Sequence, residues 1–216
     1  MLCYITAIAR PRVYDQDQIL DAVEQLAVQS GPAAVTIRAI SAAIGVSNGA
    51  VYHTFGSRAG LVGRAWLRAD HRFLSMQSEL IHAAPHGGIQ AVVAAADAPA
   101  AFAEQYPHSS KLILTVRRAE LLGPETPTEI AEQLHDLDAH LVESMVGLAS
   151  ALWDRKDAAA VDVITTCIVD LPAAILLQRN RLHDHEARQR LRAAVRAVLA
   201  LGPPPPRHRR KEGNDA

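Results

Sequence analysis

Apolar side chains recur at threes and fours along almost the whole chain, and runs that alternate apolar with polar are absent. Ile19, Ala22, Val23, Leu26 and Ala27 form one stripe and predict a helix over residues 15–29. Asp15 or Asp17 stands at its positive end, and Ser30-Gly31-Pro32 closes it. Thr36 caps a short helix over 37–44 with Ile37, Ile40 and Ile44 on one face. Gly45-Val46-Ser47 makes a tight turn, and Ser47 caps a second short helix over 48–54. Ser57 opens a long helix that carries Leu61, Ala65, Trp66, Leu67 and Phe73.

Pro85-His86-Gly87-Gly88 then breaks the chain. Helices are expected near 89–96, near 99–105 and over 107–122. Gly123-Pro124 and Pro127 precede a long helix reaching residue 153, along which Ile130, Leu134, Leu137, Leu141, Met145, Leu148 and Leu152 recur. Residues 157–179 repeat the spacing with Val161, Ile164, Ile168, Leu171 and Ile175, and add Val163, Cys167, Ala174 and Leu176 on other faces. Such a helix should be buried nearly all round, with a kink at Pro172. A last helix over 185–200 presents Leu191, Ala194, Val195, Val198 and Leu199.

Composition agrees with an all-α fold: aromatic residues are 4% of the 216 and apolar residues 49%, enough for a real core. A net charge of −1 argues, taken whole, against a nucleic-acid binder. The distribution changes that picture. Residues 1–72 carry +2, residues 73–200 carry −5, and residues 201–216 carry +2. Between Glu24 and Asp70 there is no acid, while Arg38, Arg58, Arg64 and Arg68 give +4 over residues 25–69. A surface built from that stretch would tolerate phosphate. Cys3 and Cys167 are too far apart for a redox or zinc motif, and a reducing cytoplasm is expected. Apolar runs fall short of the ~18 residues of a membrane span, so no membrane partner is expected. Residues 1–9 lack the basic start and the length of a signal peptide.

The segment Thr36–Phe55 reads TIRAISAAIGVSNGAVYHTF, two short helices about a glycine-containing turn, which is the layout of a helix-turn-helix. Ser47, Asn48, Gly49 and Ala50 are small enough for the second helix to enter a major groove. Its free N–H groups face phosphate. Val51 and Phe55 pin it to the core, leaving Tyr52 and His53 at the rim.

Residues 15–73 resemble the N-terminal domain of TetR-family transcriptional regulators. The resemblance rests on Gly31, Thr36, Ile40-Ser41, Gly45-Val46-Ser47, Tyr52-His53-Thr54-Phe55, and Arg58 with Leu61. It implies an all-α protein, an N-terminal three-helix helix-turn-helix domain followed by a C-terminal helical ligand-binding and dimerisation domain. The expected divisions are a flexible arm over 1–14, the DNA-binding domain over 15–60, the regulatory domain over 61–201 and a disordered tail over 202–216. The implied partners are double-stranded DNA, a second copy of the chain and a small-molecule effector, with no cofactor, no metal and no catalysis. Asn48, Gly49, Ala50 and His53 would face bases, with Thr36, Arg38, Ser47, Tyr52 and Arg58 on phosphates. Ser41 departs from the family's usual Ala, and Arg58-Ala59-Gly60 from its Lys-Glu-x. Gly60 and Gly63 weaken the start of the fourth helix and predict a looser hinge.

Competing readings exist for several motifs. Gly45-Val46-Ser47-Asn48-Gly49 spells the G-x-S-x-G nucleophile elbow of serine hydrolases, but that elbow needs a strand before the serine. The ten histidines lack metal-ligand spacing, although His82 and His86 could meet across the Pro-Gly loop. Arg207–Lys211 reads as a solvated end after polyproline.

The last two helices carry more apolar surface than one chain could hide. Val161, Ile164, Ile168, Leu171, Ile175, Leu191, Val195 and Val198 are therefore candidate dimer contacts, with packing inside one chain as the alternative. Phe102, Tyr106, Trp153 and one of Arg117 or Arg118 are candidate effector contacts.

Overall fold

A computed structural model of the chain describes residues 15–206, all of whose regular elements are helical. Both the expected N-terminal arm and the basic end over 207–211 lie outside the described residues. Helix α1 (Gln16–Ser30) begins where the Asp15 carboxylate accepts the Asp17 N–H, and it buries Ile19, Leu20, Val23 and Ala27. After a 3-10 turn (Pro32–Ala34) come α2 (Ile37–Ile44) and α3 (Asn48–Phe55). The Thr36 hydroxyl accepts the Ala39 N–H at 3.1 Å, and the Ser47 hydroxyl accepts the Ala50 N–H at 3.1 Å. Gly45 takes the left-handed φ of 71° that lets α2 turn into α3. Helix α4 (Arg58–Ala83) is capped by Ser57 and runs from the head into the body.

The body begins with α5 (Gly88–Gln105). Two helices, near 89–96 and near 99–105, were expected here, and Pro99 falls at the start of the second. Instead the helix is continuous. Proline leaves the carbonyl four residues back without a donor, and the buried Gln77 amide of α4 donates to that carbonyl, on Ala95, at 3.2 Å. The next segment is also cut differently from expectation. Helix α6 (Pro107–Thr115) stops short of 122, and a single turn, α7 (Arg118–Leu121), follows. The Trp66 indole N–H donates to the buried carbonyl of Val116, just past the end of α6, at 3.0 Å. Gln77 and Trp66, which make these two bonds, are both side chains of α4.

Helix α8 (Thr128–Trp153) is followed by α9 (Ala158–Thr165), which continues through two π turns, Thr166–Asp170 and Ala173–Leu177. Pro172 lies between the π turns, and the N–H groups of Leu171 and Gln178 reach back to Thr166 and Ala173. The helix thus continues through Pro172 by way of two π turns, which, like proline, are sites where helices bend. Helix α10 (His185–Leu201) ends the body.

Two cores result. The first joins Val23, Val35, Ile40, Val51 and Phe55 to Leu61, Leu112, Ile130 and Leu134, so the head is sealed by α4, α6 and α8 across residue 60. The second joins Val92 and Ala96 of α5 to Met145, Ile164, Ile168, Leu191 and Val195. Asp97 of α5 ties this core to α10 through Arg188 and Arg192 at 2.7 and 2.6 Å. Burial raises its pKa, but the hydrogen bonds from the two arginines outweigh that and hold it below its ordinary value.

Helix α9 is not buried all round: only a third of the stretch Ala158–Leu177 is covered. It is also the one helix, among the described residues, long and apolar enough to cross a membrane by length and composition. Asp162 and Asp170 interrupt its apolar run without interrupting the helix. Its covered side packs on α5, α8 and α10.

Candidate nucleic-acid interface

Short helices need anchors, and α2 and α3 have them on one side only. Ile40, Val46, Val51 and Phe55 are buried, whereas Arg38, Ser47, Asn48, Gly49, Tyr52 and His53 are exposed, Tyr52 at 63%. The caps use a lone pair of the Thr36 and Ser47 hydroxyls, so each O–H proton stays free to donate to phosphate. Ala50 is half-buried behind Gly49. A Cβ at Gly49 would meet only the Ser47 hydroxyl, at 3.9 Å, so the face is open. Arg38 has neither an ion pair nor a hydrogen bond among the described residues.

Three of the four arginines in the acid-free stretch do other work. Arg58 donates from Nε to the Val35 carbonyl at 2.7 Å and from Nη2 to the Pro32 carbonyl at 2.6 Å, lacing the 3-10 turn to α4. Arg64 pairs with Glu129 at 3.3 Å. Arg68 turns inward to Asp17, Asp21 and Glu24, at 3.0, 2.7 and 2.7 Å. The +4 of the stretch is therefore not a +4 surface. Linear charge counting missed acids that α1 and α8 bring to the same place.

The glycines of α4 also depart from expectation. A Cβ on Gly60 would lie 2.2 Å from the Phe55 carbonyl oxygen, and one on Gly63 would lie 2.7 Å from Ile130 Cγ2. They permit close packing of α4 against α3 and α8, the reverse of a loose hinge.

Behind the interface lies a polar cluster that periodicity did not single out. Glu24 of α1 is 3% exposed and accepts the Ser109 hydroxyl of α6 at 2.6 Å. Arg72 donates to Ser109 at 3.3 Å and lies over the Tyr106 ring, 5.4 Å from its centroid. Head and body are thus joined by a charged hydrogen-bond network as well as by a core. Its sequence signal is an acid at 24, four residues after buried Leu20 and three before buried Ala27, on an otherwise apolar stripe.

The residues suggested for an effector do not converge. Phe102 lines an apolar chamber with Phe73, and Tyr106 lines a separate polar cleft with Arg68 and Arg72. Exposed Arg117 and half-buried Trp153 line neither. Of the suggested dimer contacts, Ile164, Ile168, Leu191 and Val195 are buried within one chain and cannot reach a partner. Val161, Leu171, Ile175 and Val198 are only half-buried. One spacing serves an internal core and an interface alike, which is why the pattern merged them.

The hydrolase alternative lacks its scaffold: the segment before Ser47 is the helix α2, and the serine oxygen is an N-cap. Among the described residues no three His, Cys, Asp or Glu side chains converge for a metal, and His82 bonds instead to the Ser78 carbonyl at 2.7 Å. The Cys167 thiol is buried, and its burial pushes its pKa up to about 11.

Residues 19–65 match the family described as bacterial regulatory proteins, tetR family. No curated protein matches the chain. Several solved structures share its fold. A TetR-family transcriptional regulator from Streptomyces coelicolor is 22% identical, with a TM-score of 0.57 over 87% of this chain and 98% of that one. The TetR family regulator PfmR of Thermus thermophilus is 17% identical, with a TM-score of 0.62 over 84% and 97%. A regulatory protein in the tetR family from Rhodococcus is 17% identical, with a TM-score of 0.60 over 87% and 96%.

Proposed function

From the match of residues 19–65 to the tetR family of bacterial regulatory proteins, we propose that the chain is a cytoplasmic, ligand-responsive repressor that binds a palindromic operator as a homodimer. The observation that carries this reading is the division of labour in α2 and α3. Every apolar side chain that the two helices need for folding points inward, and Arg38, Asn48, Tyr52 and His53 are left to solvent. Asn48, Gly49, Ala50 and His53 read bases in the major groove, while Thr36, Arg38, Ser47 and Tyr52 hold phosphates. Arg58 contributes through donors not used on Pro32 and Val35.

Pairing uses the uncovered side of α9, including exposed Val169 and Ala174, and the adjoining side of α10. The support is an apolar helix only one-third covered by its own chain. A two-fold dimer then sets its reading helices one turn of DNA apart, roughly 34–36 Å.

The effector acts by population shift. Movement of α6 on ligand binding would disturb the Ser109–Glu24 hydrogen bond and the Arg72–Tyr106 stack. The first ties α6 to α1 and the second ties α4 to Tyr106 at the start of α6, so the spacing of the two heads would change with them.

Footprinting of the purified protein on genomic fragments identifies the operator. Tyr52→Ala and Arg38→Ala should then weaken operator binding by about 10- to 100-fold each, with unchanged melting temperatures because neither side chain supports the fold. Operator affinity unaltered in both variants would end the DNA-binding reading.

A further inference from the structure

The body contains a chamber and a groove that share walls. The chamber, about 190 Å3, is lined by Phe73, Pro99, Phe102, Ile113, Leu114 and Leu177, with Ser110 and Asp70 as its polar residues. Asp70 has a partner inside the fold. Phe73 and Phe102 meet edge to face at 5.5 Å, giving the chamber a rigid aromatic floor. Apolar cavities of roughly 150 Å3 take up benzene, so one ring or a short alkyl chain fits.

The groove, about 700 Å3, reaches the surface, and Ser110, Leu114 and Leu177 line it too. Leu177 ends the second π turn, and Leu114 is 47% exposed. These two side chains stand between chamber and groove. The groove walls carry His108, Lys111 and His183 and no Asp or Glu. Lys111 has no acidic partner among the described residues. An apolar chamber that shares walls with a groove carrying Lys111 and no acid suits a molecule that is apolar at one end and anionic at the other.

We propose that chamber and groove together bind a small amphipathic carboxylate, its ring or short chain against the floor made by Phe73 and Phe102 and its carboxylate at Lys111. The proposal rests on the ligand-responsive reading above and supplies its effector class. It also supplies a path to the head. Val28 of α1 is a groove wall, and Ser110 is the chain neighbour of Ser109, which bonds Glu24. Phe102 lies beside Tyr106, the ring under Arg72, with ring centroids 5.5 Å apart.

The test uses the full chain with 3-phenylpropanoate and its neutral analogue 3-phenylpropanamide, by calorimetry and thermal melting. The acid should bind at least about 10-fold more tightly than the amide, the worth of one charge-assisted hydrogen bond. Lys111→Met, at an exposed position, should erase that advantage and leave amide binding unchanged. Leu114→Trp should block both compounds by filling the mouth. Equal affinity for acid and amide overturns the anionic end. Failure of both to bind, or binding that survives Leu114→Trp, overturns the site, and DNA binding in the same preparation leaves the regulator reading standing. If the acid binds as described and operator affinity does not change, the site stands and the ligand-responsive reading falls.

Discussion

The reading head and the paired helices α9 and α10 were singled out by the same kind of evidence, residues at helical spacing, and they turned out differently. In the head, Thr36, Ser47 and Arg58 also serve the fold as caps and a brace, but the other side chains named for function lie outside its core. Tyr52, Asn48 and His53 are exposed, and the core is made by their neighbours Val51 and Phe55. In α9 and α10, half of the residues named for an interface are the fold itself, since Ile164, Ile168, Leu191 and Val195 lie in the second core. A polar residue next to a buried one carries a functional signal because the fold does not require it. An apolar residue carries no such signal, because an internal core and a dimer interface demand the same chemistry.

The largest test of that contrast is Ile164→Ala. As a core residue, it should cost about 3 kcal/mol by transfer and cavity terms, and the loss in melting temperature should not vary with protein concentration. A loss that grows on dilution would return Ile164 to the interface. Next in size is Asp97, which braces α5 against α10. Its pKa is below the ordinary 3.8, so its contribution is whole above that pH and is lost as pH falls through the lowered value. Asp97→Asn should cost about 2 kcal/mol at neutral pH, and melting curves should show the gap from wild type closing in acid.

The head gives smaller effects of the opposite sign. Ser41, on α2, has a buried hydroxyl without a hydrogen-bond partner. Ser41→Ala should raise stability by about 1 kcal/mol, roughly 2–4 °C in a chain of this size. Gly49→Ala should stabilise α3 by roughly 0.5 kcal/mol, because a Cβ there is nearly free of contact. The same variant should bind the operator less well, because that Cβ points at the groove. A variant that gains both stability and affinity would show that this face does not approach DNA. Gly60→Ala, with its 2.2 Å approach to the Phe55 carbonyl, makes the opposite control and should destabilise.

Much of the fold was legible. The caps Asp15, Thr36, Ser47 and Ser57 all begin helices, since N-capping depends on a side chain and a backbone N–H two or three residues away. The prolines were less legible. Pro99 and Pro172 each remove a donor, but whether the helix breaks depends on what replaces it. For Pro99 the replacement is Gln77, eighteen residues from the carbonyl it satisfies. The candidate interface was legible as a motif and illegible as an electrostatic surface. Arg38 and Arg68 look alike in sequence, yet Arg38 is unpaired among the described residues and Arg68 meets three acids of α1.

By itself the sequence determined the helical class, the positions where most helices start, the turn at Gly45 and the exposed residues of α2 and α3. These follow from contacts within one or two turns of backbone, or from a local motif. Only the tertiary structure decided which arginines remain free, that Gly60 and Gly63 are sites of close packing, and that Ser109 and Glu24 join head to body. It also decided that a chamber beside Phe102 shares walls with a groove that carries Lys111. Those outcomes depend on residues many positions apart meeting at hydrogen-bond or van der Waals distance. A charge, a glycine or an apolar side chain has no fixed role until the fold supplies its neighbour.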